Sequence, residues 1–385
     1  MTTAKAGTVH WTEGDEERHA LWLSESGAEP PRRIAVVDDT MRASDAYGLA
    51  AQGTSLLWRG DFHNARQLLT AMARRLDRRP ARRHRSLAAQ PPAEAFHRYR
   101  QGQAQRARTL SALLVPLEAG YDIRLPRAPD ARAACAEAFG PSAGAALVPL
   151  RTLLGAIGAH QWRVRGIEVP AAGGRIHPHY GVFAPVRAEY VDLVAGEPLP
   201  VAPTGEGTAF DVGTGTGVLA AVLVRRGVRR VVATDTDARA LACARENFGR
   251  LGISGQVELV EADLFPPGRA QLVLCNPPWL PARPSTPIER GIYDPDSRML
   301  RGFLRGLAAH LAEGGEGWLV LSDLAEHLGL RTREELLEWI RAAGLSVAGR
   351  SEVRPVHRRT ADARDPLHRA RAAEVTSLWR LRASA

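Results

Sequence analysis

The stretch from Thr208 to Arg226 constrains the fold more than any other. An apolar run, Thr208-Ala209-Phe210-Asp211-Val212, leads into Gly213-Thr214-Gly215-Thr216-Gly217, and a second apolar run follows from Val218 to Arg226. The first run has the length of a strand and the second that of a helix. Three glycines between them let the backbone take positive φ and come close to a ligand. A strand that turns through glycine directly into a helix opens a parallel α/β sheet, and open sheets of this kind bind ligands at the carboxyl ends of their strands. The spacing Gly-x-Gly-x-Gly differs from the Gly-x-Gly-x-x-Gly of pyrophosphate-binding turns. An acid two residues before the first glycine, Asp211, suits a cationic ligand instead.

The alternation continues downstream. Strands are predicted at 230–234, 257–261, 271–274 and 317–321, with helices at 238–251, 298–312 and a last one ending at Ala343. Thr332 is the expected N-cap of that last helix, with Glu335 completing a capping box. Two closing strands are predicted at 348–354 and 374–381. Upstream, the period changes at Gln161. Trp162, Val164, Ile167 and Val169 predict a strand, 170–174 a turn and 175–183 a second strand, which together make a β-hairpin. A short helix at 189–194 and a Pro/Gly-rich linker at 196–207 follow.

The first 160 residues read as mainly helical. Phe62, Ala65, Leu68, Leu69, Met72 and Leu76 repeat at helical spacing, with Asp61 or Asn64 near the start. Phe96, Ala104, Ala107, Leu110, Leu113 and Leu114 predict one helix from about Ala93 to Gly120. Shorter helices are expected at 130–139 and 147–158. The expected organisation is a mainly helical domain at 1–160, a hairpin and linker at 161–205 and an α/β domain at 206–385. A chain of 385 residues is long enough for two cores.

Composition excludes some classes. No apolar run reaches the length of a membrane span, and the first residues carry no apolar core of a secretory signal. Cys135, Cys243 and Cys275 form neither a CxxC pair nor a disulfide framework, so free thiols and a cytoplasmic location are expected. Lys5 is the only lysine, and the net charge of +9 is therefore an arginine charge. Between Arg74 and Arg108 stand 11 arginines against Asp77 and Glu94, a local excess as large as that of the whole chain. Such a run is either a solvated helix end and linker or a surface for an anionic partner such as RNA.

Two more acids and one short motif fall at predicted strand ends. Asp235 closes the strand 230–234, where a carboxylate can accept hydrogen bonds from both hydroxyls of a ribose. Asp263 follows the strand 257–261, where it can accept from an adenine amino group, with Leu264 and Phe265 against the ring. Asp237 is the expected cap of the next helix. Asn276-Pro277-Pro278-Trp279 follows the fourth strand. A planar amide or exocyclic amine is a poor nucleophile because its lone pair is delocalised. The Asn276 side-chain oxygen and the Pro277 carbonyl can accept its two N–H bonds. Pro278 restricts Pro277 to an extended conformation, which aims that carbonyl. Trp279 offers a flat surface for stacking. No metal is needed for this chemistry, and His177-Pro178-His179 reads as a loop and not a ligand pair.

Together these residues resemble a known family. Asp211 to Gly217, Asp235, Asp263 and Asn276 to Trp279 are similar to class I S-adenosyl-L-methionine-dependent methyltransferase motifs, and most of all to those of the HemK/PrmC-type protein glutamine N5-methyltransferases. Val182 to Val191 resembles the family's segment between hairpin and catalytic domain, and Cys275 to Pro281 its Asn-Pro-Pro-Tyr-Ile-Pro loop. The likeness runs from about Trp162 to Leu321. It implies a Rossmann-like seven-stranded sheet with helices on both faces. It also implies S-adenosyl-L-methionine as cofactor, held by Asp211, Gly213, Thr214, Gly215, Gly217, Asp235, Asp263, Leu264 and Asn276. Asn276, Pro277, Pro278 and Trp279 would then form the catalytic loop, and the N-terminal domain would recognise the substrate, a release-factor-like or ribosomal protein. Three features depart from the family. Trp279 replaces its Tyr, the stretch 289–299 lacks its Glu-Pro pattern, and the N-terminal domain is about twice as long. The alternative acceptors are a base in rRNA or DNA and a small molecule, since the same loop can orient any planar amine. A binding protein on a decayed methyltransferase fold is a third class, and the intact acids argue against it.

Overall fold

The computed structural model describes residues 7–25, 27–77, 90–186, 189–200, 207–355, 362 and 365–384. The chain forms two compact units, one of residues 1–90 and 97–161 and the other of 91–96 and 162–385.

The second unit is built on seven strands. They are β9 (Thr208–Val212), β10 (Arg230–Asp235), β11 (Val257–Glu261), β12 (Ala270–Cys275), β13 (Leu311–Ser322), β14 (Leu345–Val353) and β15 (Thr376–Ala383). Their order across the sheet is β11-β10-β9-β12-β13-β15-β14. Neighbours pair in parallel from β11 to β13, and β15 is antiparallel to both β13 and β14. This is the seven-stranded class I methyltransferase sheet that the motifs led us to expect.

Side chains alternate between the two faces of each strand, and here both faces are apolar. Ala209, Val231, Ala233, Leu272, Leu274 and Trp318 pack with the helices Val218–Arg225 and Ala238–Leu251. Phe210, Val212, Val232, Val273 and Leu319 pack with the helices Arg298–His310 and Arg333–Ala342. Every residue from Val218 to Val224 is buried, so the helix after the glycine turn is a fixed post. Thr332 and Glu335 form the expected capping box, and Asp237 caps the helix that begins at Ala238.

A charge is also buried in this sheet. Glu316 on β13 is 0% exposed and bonds Arg380 and Arg382 of β15 at 2.8 and 2.6 Å. Burial pushes its carboxyl up, but the two guanidiniums outweigh that and hold it at about 2.

The hairpin is shorter than expected. Its strands are β7 (Ile167–Val169) and β8 (Gly174–Ile176). Trp162 and Val164 do not begin it. They are the exposed end of a helix, Leu150–Arg165, that runs on until Gly166 takes φ 70°. Two alternating residues are too few to set a period against a helix already under way.

The N-terminal unit corrects the sequence reading. Its helices take more residues than its strands, but they pack on a six-stranded mixed sheet that the periodicity did not show. The strands are β1 (Thr8–Glu13), β2 (Glu16–Trp22), β3 (Ile34–Val37), β4 (Ser55–Trp58), β5 (Leu113–Leu117) and β6 (Ala146–Pro149), in the order β1-β2-β6-β5-β4-β3. All four residues of β4 and of β6 are buried, as are four of the five in β5. A short strand covered on both faces is a plain apolar run, without alternation to tell it from a helix. Leu113 and Leu114 therefore continue the helical spacing of a helix that in fact ends at Leu110. The helix Phe62–Asp77 is as expected, and the Asp61 carboxylate accepts from the His63 amide at 2.7 Å.

Candidate active site

The register of the sheet brings the candidate residues to one level. Val212 of β9 stands opposite Thr234 of β10 and Cys275 of β12. The next residue on each strand is therefore Gly213, Asp235 and Asn276, side by side at the carboxyl edge. Asp235 in turn pairs with Glu261 of β11, two residues before Asp263. Neighbouring strands are about 4.8 Å apart, so the glycine turn, the two acids and the Asn-Pro-Pro-Trp loop lie along one rim.

The glycine turn is pinned at both ends. Gly213, Gly215 and Gly217 have φ of 74°, 56° and 82°, a region that side chains with a Cβ rarely enter. The amides of Gly213 and Thr214 both donate to the Thr234 carbonyl, at 2.9 and 2.8 Å. Asp211 is 1% exposed. One of its oxygens accepts from the Thr214 hydroxyl at 2.6 Å and from the Ala220 amide at 3.1 Å, so this carboxylate clasps the loop to its helix. Burial pushes its carboxyl up to about 6, against the pull of those two bonds. Asp235 accepts from the Gly215 amide at 3.0 Å and the Asp237 amide at 2.9 Å. Burial raises its carboxyl as well, and the charge of Asp235 adds to the rise at Asp211.

These observations test the fit of the implied cofactor. A buried carboxylate, Asp211, and a half-buried one, Asp235, stand close together, with no cation bonded to either among the described residues. A Cβ on Gly215 would meet nothing within 4 Å, which leaves open space over the turn. The donor set fits a cationic, hydroxyl-bearing ligand such as S-adenosyl-L-methionine. Among the described residues no group of three or more His, Cys, Asp or Glu is placed to hold a metal ion.

Asp263 is exposed, and Arg298 donates to one of its oxygens at 2.6 Å. Leu264 and Phe265 lean on the helix Arg298–His310. Gly302 gives room to Leu264 and Gly306 to Phe265. Phe265 stacks on His310 at 4.2 Å and on Phe303 at 5.7 Å. Its ring is thus part of the helix packing.

In the Asn-Pro-Pro-Trp loop, the Trp279 indole N–H donates to the Asn276 side-chain oxygen at 2.9 Å. Pro277 is buried, and Asn276, Pro278 and Trp279 are half-buried. The loop then pairs Leu280 with Tyr293, which places Asp294 beside it.

Sequence reasoning missed three residues. Asp294 is 5% exposed, and its two oxygens accept from the amides of Met299 and Leu300 at 3.0 and 3.1 Å. It thereby caps the helix from four residues before Arg298. An acid ahead of an apolar periodic run was the available signal, hidden by the Asp296 and Ser297 turn at φ 55° and 52°. Met299 lies over the turn, 2.5 Å from where a Cβ on Gly213 would stand. Asn247, 0% exposed, donates to the Thr216 carbonyl at 2.9 Å and accepts from the His177 amide at 2.8 Å. It ties the segment after the hairpin to the glycine turn. His179 of that segment pairs with Glu246 of the helix Ala238–Leu251.

Of the arginine-rich stretch, Arg74 and Arg75 end one helix, and Arg98, Arg100, Arg106 and Arg108 belong to the helix Pro92–Leu110. Arg78, Arg79, Arg82, Arg83 and Arg85 lie outside the described residues. No helix among those described is long and apolar enough to cross a membrane.

Residues 174–337 match the family model of the methyltransferase small domain. A release factor glutamine methyltransferase of Cereibacter sphaeroides is 33% identical over 153 residues, covering 36% of this chain and 52% of that protein. A ribosomal protein L11 methyltransferase of Vibrio cholerae is 30% identical over 139 residues, covering 36% of this chain and 44% of that protein. The chain thus spans about half the length of the relatives it matches. The crystal structure of a ribosomal protein L11 methylase from Lactobacillus delbrueckii subsp. bulgaricus aligns over 53% of this chain and 84% of its own, at 18% identity and a TM-score of 0.36.

Proposed function

We propose that this chain, whose residues 174–337 match the family model of the methyltransferase small domain, is an S-adenosyl-L-methionine-dependent N-methyltransferase acting on a planar nitrogen of a protein side chain, such as the amide of glutamine. The observation that carries this reading is the register that sets Asp235, Gly213 and Asn276 on adjacent strand ends. The same rim then holds the residues for the cofactor and those for the acceptor. The relatives' names, a release factor glutamine methyltransferase and a ribosomal protein L11 methyltransferase, favour a protein acceptor.

Each group on the rim has a role in this reading. Asp235 accepts from the ribose hydroxyls, Asp263 from the adenine amino group, and Leu264 lies against the ring. Asp211, Gly213, Thr214, Gly215 and Gly217 shape the turn that approaches the amino-acid end. The bound cofactor supplies a methyl group already activated by its sulfonium. What remains for the protein is positioning, which supplies much of the rate in such reactions. Asn276 Oδ1 and the Pro277 carbonyl accept the two N–H bonds of the acceptor and turn the face of its nitrogen toward the cofactor. Trp279 supports the acceptor plane and orients Asn276. The N-terminal unit is assigned to acceptor recognition, and the enzyme to the cytoplasm.

A nucleic-acid base is the second reading, favoured by the exposed Arg98 and Arg108 on the helix Pro92–Leu110. Mass spectrometry of proteins and RNA from a strain lacking the gene separates the two. Loss of a methyl group from one protein side chain is expected. A loss confined to RNA overturns the protein reading.

A further inference from the structure

Arg331, in the second unit, is 3% exposed, and its Nε and Nη2 make no hydrogen bond among the described residues. A guanidinium stays charged in a protein, and an unpaired charge inside one is strongly unfavourable. The acids whose charge reaches it are Glu326, Glu335 and Asp294. All three are engaged elsewhere. Glu326 holds Arg333 through both oxygens at 2.9 Å. Glu335 accepts from the Thr332 amide at 2.7 Å. Asp294 caps the helix that starts at Arg298. Burial lowers the affinity of Arg331 for its proton, and the acids oppose this without bonding it.

Topology puts Arg331 at the rim. It directly precedes Thr332, the N-cap of the helix Arg333–Ala342. That helix and the helix Arg298–His310 pack together through Leu336, Ile340, Leu300 and Leu304. The second of them leads into the start of β13 and the first into the start of β14, so both begin at the carboxyl edge. Asp294 marks the start of one and Arg331 the start of the other. Asn276 lies on the same edge, at the end of β12.

We propose that Arg331 receives a carboxylate of the methyl acceptor, carried by an acidic residue next to the target nitrogen in a polypeptide. This rests on the reading of the rim as the methyl-transfer site. The two bare nitrogens, Nε and Nη2, form one corner of the guanidinium, which matches the two oxygens of a carboxylate. A flat carboxylate at the end of a flexible side chain suits so enclosed a position. A phosphodiester, with a sugar on either side, does not. An acceptor without the acid leaves a buried charge unpaired, which is a strong basis for discrimination.

The test uses the ¹⁵N-labelled full chain with S-adenosyl-L-homocysteine. The Arg331 Nε–H signal is identified as the one absent from Arg331→Met. The probes are the blocked tripeptides Glu-Gln-Glu and Gln-Gln-Gln, free N-acetylglutamate and dimethyl phosphate. A saturable shift of that signal with Glu-Gln-Glu, and none with Gln-Gln-Gln, is expected. N-acetylglutamate should shift it only at higher concentration; an equal response assigns the site to a small molecule and overturns the polypeptide. No shift with Glu-Gln-Glu, or a stronger response to dimethyl phosphate, overturns the carboxylate. Arg331→Met should melt no lower than wild type, because it removes an unpaired charge; a clear drop would make Arg331 a structural residue. Calorimetry on the same samples keeps the two readings apart. Wild-type protein that fails to bind S-adenosyl-L-methionine sinks the methyltransferase reading, whereas bound cofactor without a tripeptide shift sinks only the Arg331 assignment.

Discussion

The indole N–H of Trp279 donates to the side-chain oxygen of Asn276 at 2.9 Å. An amide can flip and present either oxygen or nitrogen, and this donor selects the oxygen. One lone pair of that oxygen is then taken by the indole, and the second is left for the acceptor.

Trp279→Phe keeps a flat ring but removes the donor. Turnover should fall by about 5- to 10-fold, as for one neutral hydrogen bond, while KM changes little. Trp279→Ala should raise KM as well, since stacking is lost. Steady-state kinetics of both variants check this. An unaltered kcat in Trp279→Phe means that the indole only stacks.

Asn276→Ala should lose at least about 100-fold in turnover with cofactor affinity little changed, because the cofactor's main anchors are on other strands. Asn276→Asp keeps an acceptor oxygen but adds a negative charge beside the sulfonium. That charge holds the ground state more tightly, so turnover should still fall. Single-turnover kinetics and calorimetry measure the two effects separately. Normal turnover in Asn276→Ala would point to an oxygen or carbon acceptor.

Asp235→Ala should weaken S-adenosyl-L-methionine binding by roughly 1–3 kcal/mol through the loss of two hydroxyl contacts. It also frees the Gly215 amide, which Asp235 holds at 3.0 Å. Titration calorimetry gives the number directly, and an affinity equal to wild type removes Asp235 from the site.

Cofactor binding should depend on pH through Asp211. Its carboxyl is raised by burial from an ordinary 3.8 to about 6. Such a group stabilises the free protein while it is protonated, fully so below 3.8, and this contribution is lost as pH rises through about 6. A cationic ligand prefers the ionised form. The rise in melting temperature on adding S-adenosyl-L-methionine should therefore be small below pH 6 and grow above it. In Asp211→Asn the pH dependence should flatten, and a wild-type profile in that variant counts against the role.

The α/β unit was legible because its signals are local. A glycine turn, a capping box and strands bounded by polar residues need no knowledge of the rest of the chain. The helix Ala238–Leu251 and the strands β9 and β11 fall at the predicted residues. What the sequence hid depends on distant partners. Leu56, Leu57, Leu113 and Leu114 become strands only because other elements cover both their faces. Phe265 follows an acid as a ring-stacking residue would, yet His310, 45 positions on, takes its face. The residue type of Trp279 points to a stacking surface, and its donation to Asn276 depends on a loop geometry that spacing does not encode.

The place of β15 has a consequence for how this protein can be cut. The last described strand in the chain is an interior strand of the sheet, seated between β13 and β14. Removing residues 376–384 would not trim an edge. It would part β14 from the rest, lay open the apolar flank of Trp318, Val320 and Leu321, and strip Glu316 of both arginines that neutralise it. A shortened form ending at Val375 should therefore collect in inclusion bodies, however complete its cofactor motifs. Any insertion or fusion near this strand must leave Thr376–Ala383 free to enter the sheet between β13 and β14.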